Sequence, residues 1–336
     1  MRELAACCAP GRELNSMELS LVMPCFNESR QILTTFAHLA GYIKNVLSRK
    51  ADKLTVIAVD DGSKDDTWAC LAAAKQNLLK EVAGTVDVQV KLLRFSRNFG
   101  KEAALLAGIR AVSPTAAATV ILDADLQHPL EVIVPMIDKF LATGADIVDA
   151  VKSDRGKESG LNRCLANSFY DFFDKHSRVN LKNMADFKLL SARAVRILAD
   201  LPEHERFFRA LCSWIGFKHA EVQFEVAERE VGVSKWSFRS KVNLASDAFY
   251  AFSDVPVFLQ FLEIVFVILL GVGQLVYFAF ILLAQKRPLD RLDYLTFIVL
   301  LGVFLILGSN LLKSLYLQRL YKAALNRPQY IIMQED

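Results

Sequence analysis

Two stretches of this chain carry no charged residue, Ile264 to Ala284 and Leu295 to Leu312, and they restrict its fold more than any other feature. A helix rises 1.5 Å per residue, so about 20 apolar residues cross the ~30 Å hydrocarbon core of a bilayer. The connector, Gln285 to Asp293, is too short for a domain, which predicts a helical hairpin that returns the chain to its starting side. Met1 to Arg239 reads instead as an ordinary globular sequence. The 53% of hydrophobic residues among 336 therefore divides into a globular domain and a membrane attachment. Forty basic against 37 acidic residues leave a net charge of +3, which argues against disorder and against a nucleic-acid partner.

The globular part alternates between two periods. Leu19–Met23, Leu54–Val59, Val88–Phe95, Thr119–Leu122 and Asp146–Ala150 are short runs rich in Val, Ile and Leu that suit buried strands, and Ala220–Val226 is strand-like. Helical spacing fills the intervals Ser29–Arg49, Asp65–Lys80, Lys101–Val112 and Pro129–Leu141, and returns in Ser191–Leu201 and Arg206–Trp214. This βαβα order predicts an α/β fold, a mostly parallel sheet with helices on both faces and a ligand crevice beyond the carboxyl ends of the strands. The six cysteines are scattered, with no CxxC pair, and read as reduced thiols of a cytosol-facing domain. Met1–Ser16 lacks an apolar core, so it is read as a loose extension and not a signal peptide.

Four polar loops follow the first four strands. They are Pro24-Cys25-Phe26-Asn27-Glu28, Asp60-Asp61-Gly62-Ser63, Ser96 to Lys101, and Asp123-Ala124-Asp125-Leu126-Gln127-His128-Pro129. Two carboxylates one residue apart at a strand end, with Gln127 as a further oxygen donor, suit a hard cation such as Mg²⁺ or Mn²⁺ bridging the phosphates of a nucleotide-sugar. The same residues also suit a helix cap followed by a turn. Asp60 and Asp61 can accept hydrogen bonds from a base or a ribose, or cap the helix that follows.

These four motifs, in this order, resemble the family 2 glycosyltransferases of the GT-A (Rossmann-like) fold that act on polyisoprenyl phosphates. Within that group the chain is most similar to the bacterial bactoprenol glucosyltransferases of phage-type O-antigen glucosylation, and the dolichyl-phosphate mannose synthases are related. The likeness runs from about Leu19 to Asn326-Arg327-Pro328-Gln329-Tyr330-Ile331-Ile332 and includes the paired C-terminal spans. It implies that Pro24, Asn27, Glu28 and Asp61, with Asp60 close by, line the base and ribose. Asp123, Asp125 and Gln127 would hold the metal and the diphosphate. Asp186, in Ala185-Asp186-Phe187-Lys188-Leu189, matches an Asp-Phe-Arg-Leu slot near the acceptor, with Lys188 in place of the Arg. Arg229, Ser234 and Lys235 match a loop that closes over phosphates; Arg155, Arg206 and Arg209 are further cationic candidates.

The resemblance therefore implies inverting transfer of a hexose to undecaprenyl phosphate, with Asp125, Asp186 and Arg229 as catalytic residues. The acceptor phosphate would meet Arg155, Arg206, Ser234 and Lys235. UDP-glucose is the favoured donor; GDP-mannose, UDP-N-acetylglucosamine and UDP-4-formamido-arabinose are alternatives within the same fold. A membrane-tethered nucleotide-binding scaffold is the non-enzymatic alternative. The expected layout is an extension at 1–17, a catalytic domain at 18–235, an amphipathic interfacial helix at 236–256, two C-terminal transmembrane helices at 257–318 and a cytoplasmic tail at 319–336. Arg239, Lys241, Lys313, Arg319, Lys322 and Arg327 outnumber the Lys286, Arg287 and Arg291 of the connector, which places the catalytic domain on the cytoplasmic side of a bacterial inner membrane. Glu263 and Gln274 are expected to face the hairpin or a homo-oligomer partner, and a flippase would take the product.

Overall fold

The computed structural model describes residues 17–125, 128–152, 184–204, 206–224, 291–325 and 327–336, with isolated helical positions between 262 and 273. Its centre is one eight-stranded sheet. The strands are β1 (Glu18–Cys25), β2 (Lys53–Asp60), β3 (Asp87–Phe95), β4 (Ala118–Ile121), β5 (Ile147–Lys152), β6 (Met184–Ser191), β7 (His219–Phe224) and β8 (Ile332–Glu335), in the spatial order β7-β5-β6-β4-β1-β2-β3-β8. Parallel ladders join β1 to β2 and β4, β2 to β3, and β5 to β7. Only β6 and β8 run against their neighbours.

Continuous apolar runs make the central strands because both faces are covered. Leu19, Leu21 and Met23 of β1 belong to a core shared with α1 (Ile32–Asn45), α2 (Thr67–Val82) and α4 (Ile133–Thr143). The alternate residues, such as Val22 and Val59, meet α3 (Lys101–Arg110) on the other face. There Gly108 lets the helix sit so close that an added Cβ would lie 2.3 Å from Val22 Cγ1. That face is completed by α5 (Ala192–Asp200), capped by the Ser191 hydroxyl, and α6 (Phe208–Trp214).

Two strands depart from the sequence reading. Strand β6 is masked in sequence by Asp186 and Lys188, which interrupt its apolar pattern. Lys188 is fully buried and paired with Asp149, whose other oxygen lies 2.6 Å from His219 Nδ1. Burial alone would raise the Asp149 carboxyl, but His219 and Lys188 hold it below the usual range. Strand β8 lies in what reads as a cytoplasmic tail. It adds to the edge of β3, with Leu93 opposite Glu335 and Phe95 opposite Ile332.

The chain divides into two compact units, Met1–Asn243 with Pro328–Asp336, and Leu244–Arg327. In the second unit one continuous helix, α7, covers Arg291–Ala324 and contains the uncharged Leu295–Leu312. Among the described residues no helix is long and apolar enough to cross a membrane. The expected interfacial helix lies outside the described residues, as does most of the first uncharged stretch.

Candidate active site

The carboxyl ends of β1, β2, β3 and β4 deliver the four polar loops, and hydrogen bonds between loops fix each one. Asn27 adopts a left-handed backbone, φ 53°, a conformation Asn tolerates better than most residues. Its N–H donates to Ser63 Oγ at 2.8 Å, and its Oδ1 accepts from the Lys64 N–H at 3.0 Å. The Glu28 N–H donates to Thr67 Oγ1, and Ser29 donates through its hydroxyl to Asp65 at 2.7 Å. The loop after Pro24 is thereby bound to the loop after β2.

Asp60 and Asp61 are both buried, and differently held. Asp60 Oδ1 accepts from the Ser63 N–H at 2.9 Å, while its Oδ2 lies 3.4 Å from Arg94 Nε without hydrogen-bond alignment. Asp61 accepts from the Phe99 N–H at 2.7 Å, the Gly100 N–H at 2.9 Å and Asn98 Nδ2 at 2.8 Å. Burial pushes the Asp61 carboxyl up to about 6 despite those donors. Gly62 is required between these loops: its φ is +62°, and a Cβ would lie 2.2 Å from the Arg97 carbonyl carbon.

The loop after β4 is held from three sides. Thr35 Oγ1 of α1 donates to the Ala124 carbonyl at 2.8 Å, and Gln31 Nε2 donates to the Asp125 carbonyl at 2.9 Å. His128, buried and stacked on Phe187 with ring centroids 4.7 Å apart, accepts the Asp123 N–H at Nδ1. Its neutral ring therefore carries the proton on Nε2, and desolvation lowers its pKa.

Facing this loop is a chain of alternating charges. Lys101 Nζ, at the start of α3, lies 2.7 Å from Asp123 Oδ1 and 2.7 Å from Asp186 Oδ2. Arg209 of α6 holds Asp186 with both arms, Nε to Oδ1 at 2.6 Å and a second nitrogen to Oδ2 at 3.0 Å. Burial would raise the Asp186 carboxyl, but Arg209 and Lys101 hold it well below the usual carboxylate range. It is therefore a permanently ionised anchor and a weak proton acceptor. Beside it, Glu102 accepts the Phe208 N–H at 2.8 Å, and burial together with the Asp186 charge pushes it up to about 7.

Of the residues expected at the site, Pro24, Asn27, Glu28, Asp60, Asp61, Asp123, Asp125 and Asp186 lie on these loops and strands. Arg206 does not join them: its guanidinium donates to the Leu198 and Leu201 carbonyls and closes the end of α5. Gln127, Arg155, Arg229, Ser234 and Lys235 lie outside the described residues. Lys101, at the end of the Asn98-Phe99-Gly100-Lys101 loop, joins the site without being expected there from sequence. Arg209 occupies the place beside Asp186 that its neighbour Lys188, turned to Asp149, does not.

Among the described residues no group of three or more His, Cys, Asp or Glu side chains could hold a metal. Asp123 and Asp125 nevertheless supply two hard oxygen donors one residue apart. This suits Mg²⁺ or Mn²⁺, for which substrate phosphates and water would supply the remaining ligands.

The chain is 33% identical over 318 residues to the SfII prophage-derived bactoprenol glucosyl transferase of Shigella flexneri, covering 94% of this chain and 97% of the relative. It is 32% identical over 321 residues to the bactoprenol glucosyl transferase of Shigella phage SfV, covering 95% and 99%. Among solved structures it is similar to glucosyl-3-phosphoglycerate synthase from Mycobacterium tuberculosis in complex with Mn²⁺ and UDP-glucose, at 18% identity and TM-score 0.41, covering 71% of this chain and 82% of that one. The family described as Glycosyl transferase family 2 matches residues 20–189, the segment that carries all four loops and Asp186. The chain is a glycosyltransferase, a member of Glycosyl transferase family 2.

Proposed function

We propose that the chain transfers glucose from UDP-glucose to a polyisoprenyl phosphate such as undecaprenyl phosphate, with inversion. The observation that carries this reading is the end-to-end match to relatives named bactoprenol glucosyl transferase, coupled to Asp123 and Asp125 at the end of β4. The loops around Asn27, Glu28, Asp60 and Asp61 would take the base and ribose. Asp123 and Asp125, with Gln127, would hold Mg²⁺ or Mn²⁺, which when bound neutralises charge on the departing diphosphate. An acceptor phosphate is largely ionised near neutral pH, so it attacks the anomeric carbon without a general base. The low pKa of Asp186 fits that chemistry, since its work is to hold Lys101 and Arg209. Those two cations, with Arg155, Arg229, Ser234 and Lys235, would orient the phosphates.

A C55-type lipid leaves a bilayer only at ~0.8 kcal/mol per CH₂, so the donor must be brought to the membrane surface. The uncharged stretches Ile264–Ala284 and Leu295–Leu312 are the sequence features that support such an attachment. We therefore place the enzyme in the bacterial inner membrane through two spans, with its catalytic unit cytoplasmic and its product passed to a flippase for O-antigen modification. The decisive experiment supplies membranes containing the full chain with undecaprenyl phosphate and radiolabelled nucleotide-sugars. UDP-glucose is expected to label the lipid. Labelling only from another donor overturns the sugar, and glycosylation of a soluble acceptor alone overturns the lipid.

A further inference from the structure

The last strand of the sheet reaches the donor loops through its neighbour. Strand β8 is anchored on β3 by paired backbone bonds between Leu92 and Asp336 at 2.7 and 2.9 Å, and the Ile331 carbonyl accepts the Ser96 N–H at 3.0 Å. Ser96 is the first residue of the loop that carries Asn98, Phe99 and Gly100, the three donors to Asp61. Just before the strand, Tyr330 stacks flat on Phe95, with centroids 5.1 Å apart and an interplanar angle of 10°. Phe95 in turn meets the Phe99 ring edge-on at 5.8 Å, and the Phe99 N–H is the 2.7 Å donor to Asp61. The same end of β3 also carries Arg94, which lies against Asp60 and opposite Gln334.

We infer that Tyr330 is a positioning residue for the nucleotide pocket. Through Phe95 and Phe99 it holds the 96–100 loop at the depth at which that loop fixes Asp61. A segment that follows the second unit in sequence thus acts on the donor pocket of the first through β3 and its loop. The inference rests on the proposed reading of these loops as the donor pocket. An edge-strand loop held on one side only by solvent would sample more conformations, and Tyr330 removes that freedom.

The test uses the full chain in detergent, with UDP in Mn²⁺ buffer as the probe of binding and UDP-glucose turnover as the second readout. Tyr330→Ala is expected to weaken UDP and to raise KM by about threefold to tenfold, the range a lost aromatic pair allows, with kcat within about twofold. Tyr330→Phe keeps the stack and is expected to restore both. Asp61→Asn tests the pocket itself and is expected to lose UDP binding. Unchanged binding in Tyr330→Ala alongside loss in Asp61→Asn overturns the positioning role and leaves the pocket standing. Unchanged binding in Asp61→Asn removes the pocket, and the role of Tyr330 with it. A fall in kcat with KM unchanged, or no rescue by Phe, also overturns the inference. If Tyr330→Ala does not fold, Tyr330→Leu keeps the apolar bulk without the stack and is judged by the same outcomes.

Discussion

The two acidic pairs at the strand ends look alike in sequence and are built differently. Asp61 is sunk beneath the surface and held by backbone and amide N–H groups, while Asp123 is about a quarter exposed and balanced by the ammonium of Lys101. Asp60 is fully buried, with one oxygen 3.4 Å from a guanidinium and lacking a hydrogen bond. Fixed N–H donors cannot leave, so the first pair defines a rigid wall. An ammonium on a four-carbon stem can be exchanged for another cation, so the second pair can accept one. The wall thus shapes the pocket, and the exchangeable pair suits the chemistry.

The largest effect that would break this contrast lies at the second pair. Asp125→Asn should reduce transfer by at least about a hundredfold with saturating Mn²⁺, as expected when a metal ligand is lost. Near-full activity would show that the pair holds no metal. Asp61→Asn should act on stability. Its amide nitrogen would face N–H donors, leaving buried groups unsatisfied at a cost of about 1–3 kcal/mol in urea denaturation.

The pH dependence sharpens the same point. Because burial raises the Asp61 carboxyl from the ordinary carboxylate range, about 4, to about 6, the folded state binds this proton more tightly than the unfolded one. Its contribution to stability therefore falls as pH rises from about 4 to about 6, and that slope should be absent in Asp61→Asn. UDP affinity should weaken as pH falls below about 6, where the carboxylate is lost. The smallest effect concerns the backbone of the loop after β4. His128→Phe keeps the stack on Phe187 but removes the acceptor for the Asp123 N–H, and should cost about 1 kcal/mol with a modest rise in the Mn²⁺ requirement. An unchanged requirement would show that His128 only packs.

The β1 to β5 strands were legible in sequence because unbroken runs of Val, Ile and Leu mean burial on both faces. The loops were legible because each polar cluster interrupts such a run. Strand β6 was not, because Asp186 and Lys188 break the apolar run around the buried Phe187, Leu189 and Leu190, and their partners Arg209 and Asp149 are distant in the chain and neutralise them only once folded. The Arg206 contacts were illegible for the converse reason: nothing local in sequence says that the carbonyls at the end of α5 draw its guanidinium. Lys101 lay in a recognised motif, but its role depends on two carboxylates delivered by other strands.

The pairing of β8 with β3 has a consequence for how the protein is made. Phe95 and Ile332 are separated by most of the chain, so the edge of β3 stays open while the second unit is synthesised. An open edge is a template for other strands, and closing so long a loop is slow. That edge of the sheet, with the loop proposed to line the nucleotide pocket, thus reaches its final form only after residues 244–327 have been made, which ties its ripening to the biogenesis of the helical unit.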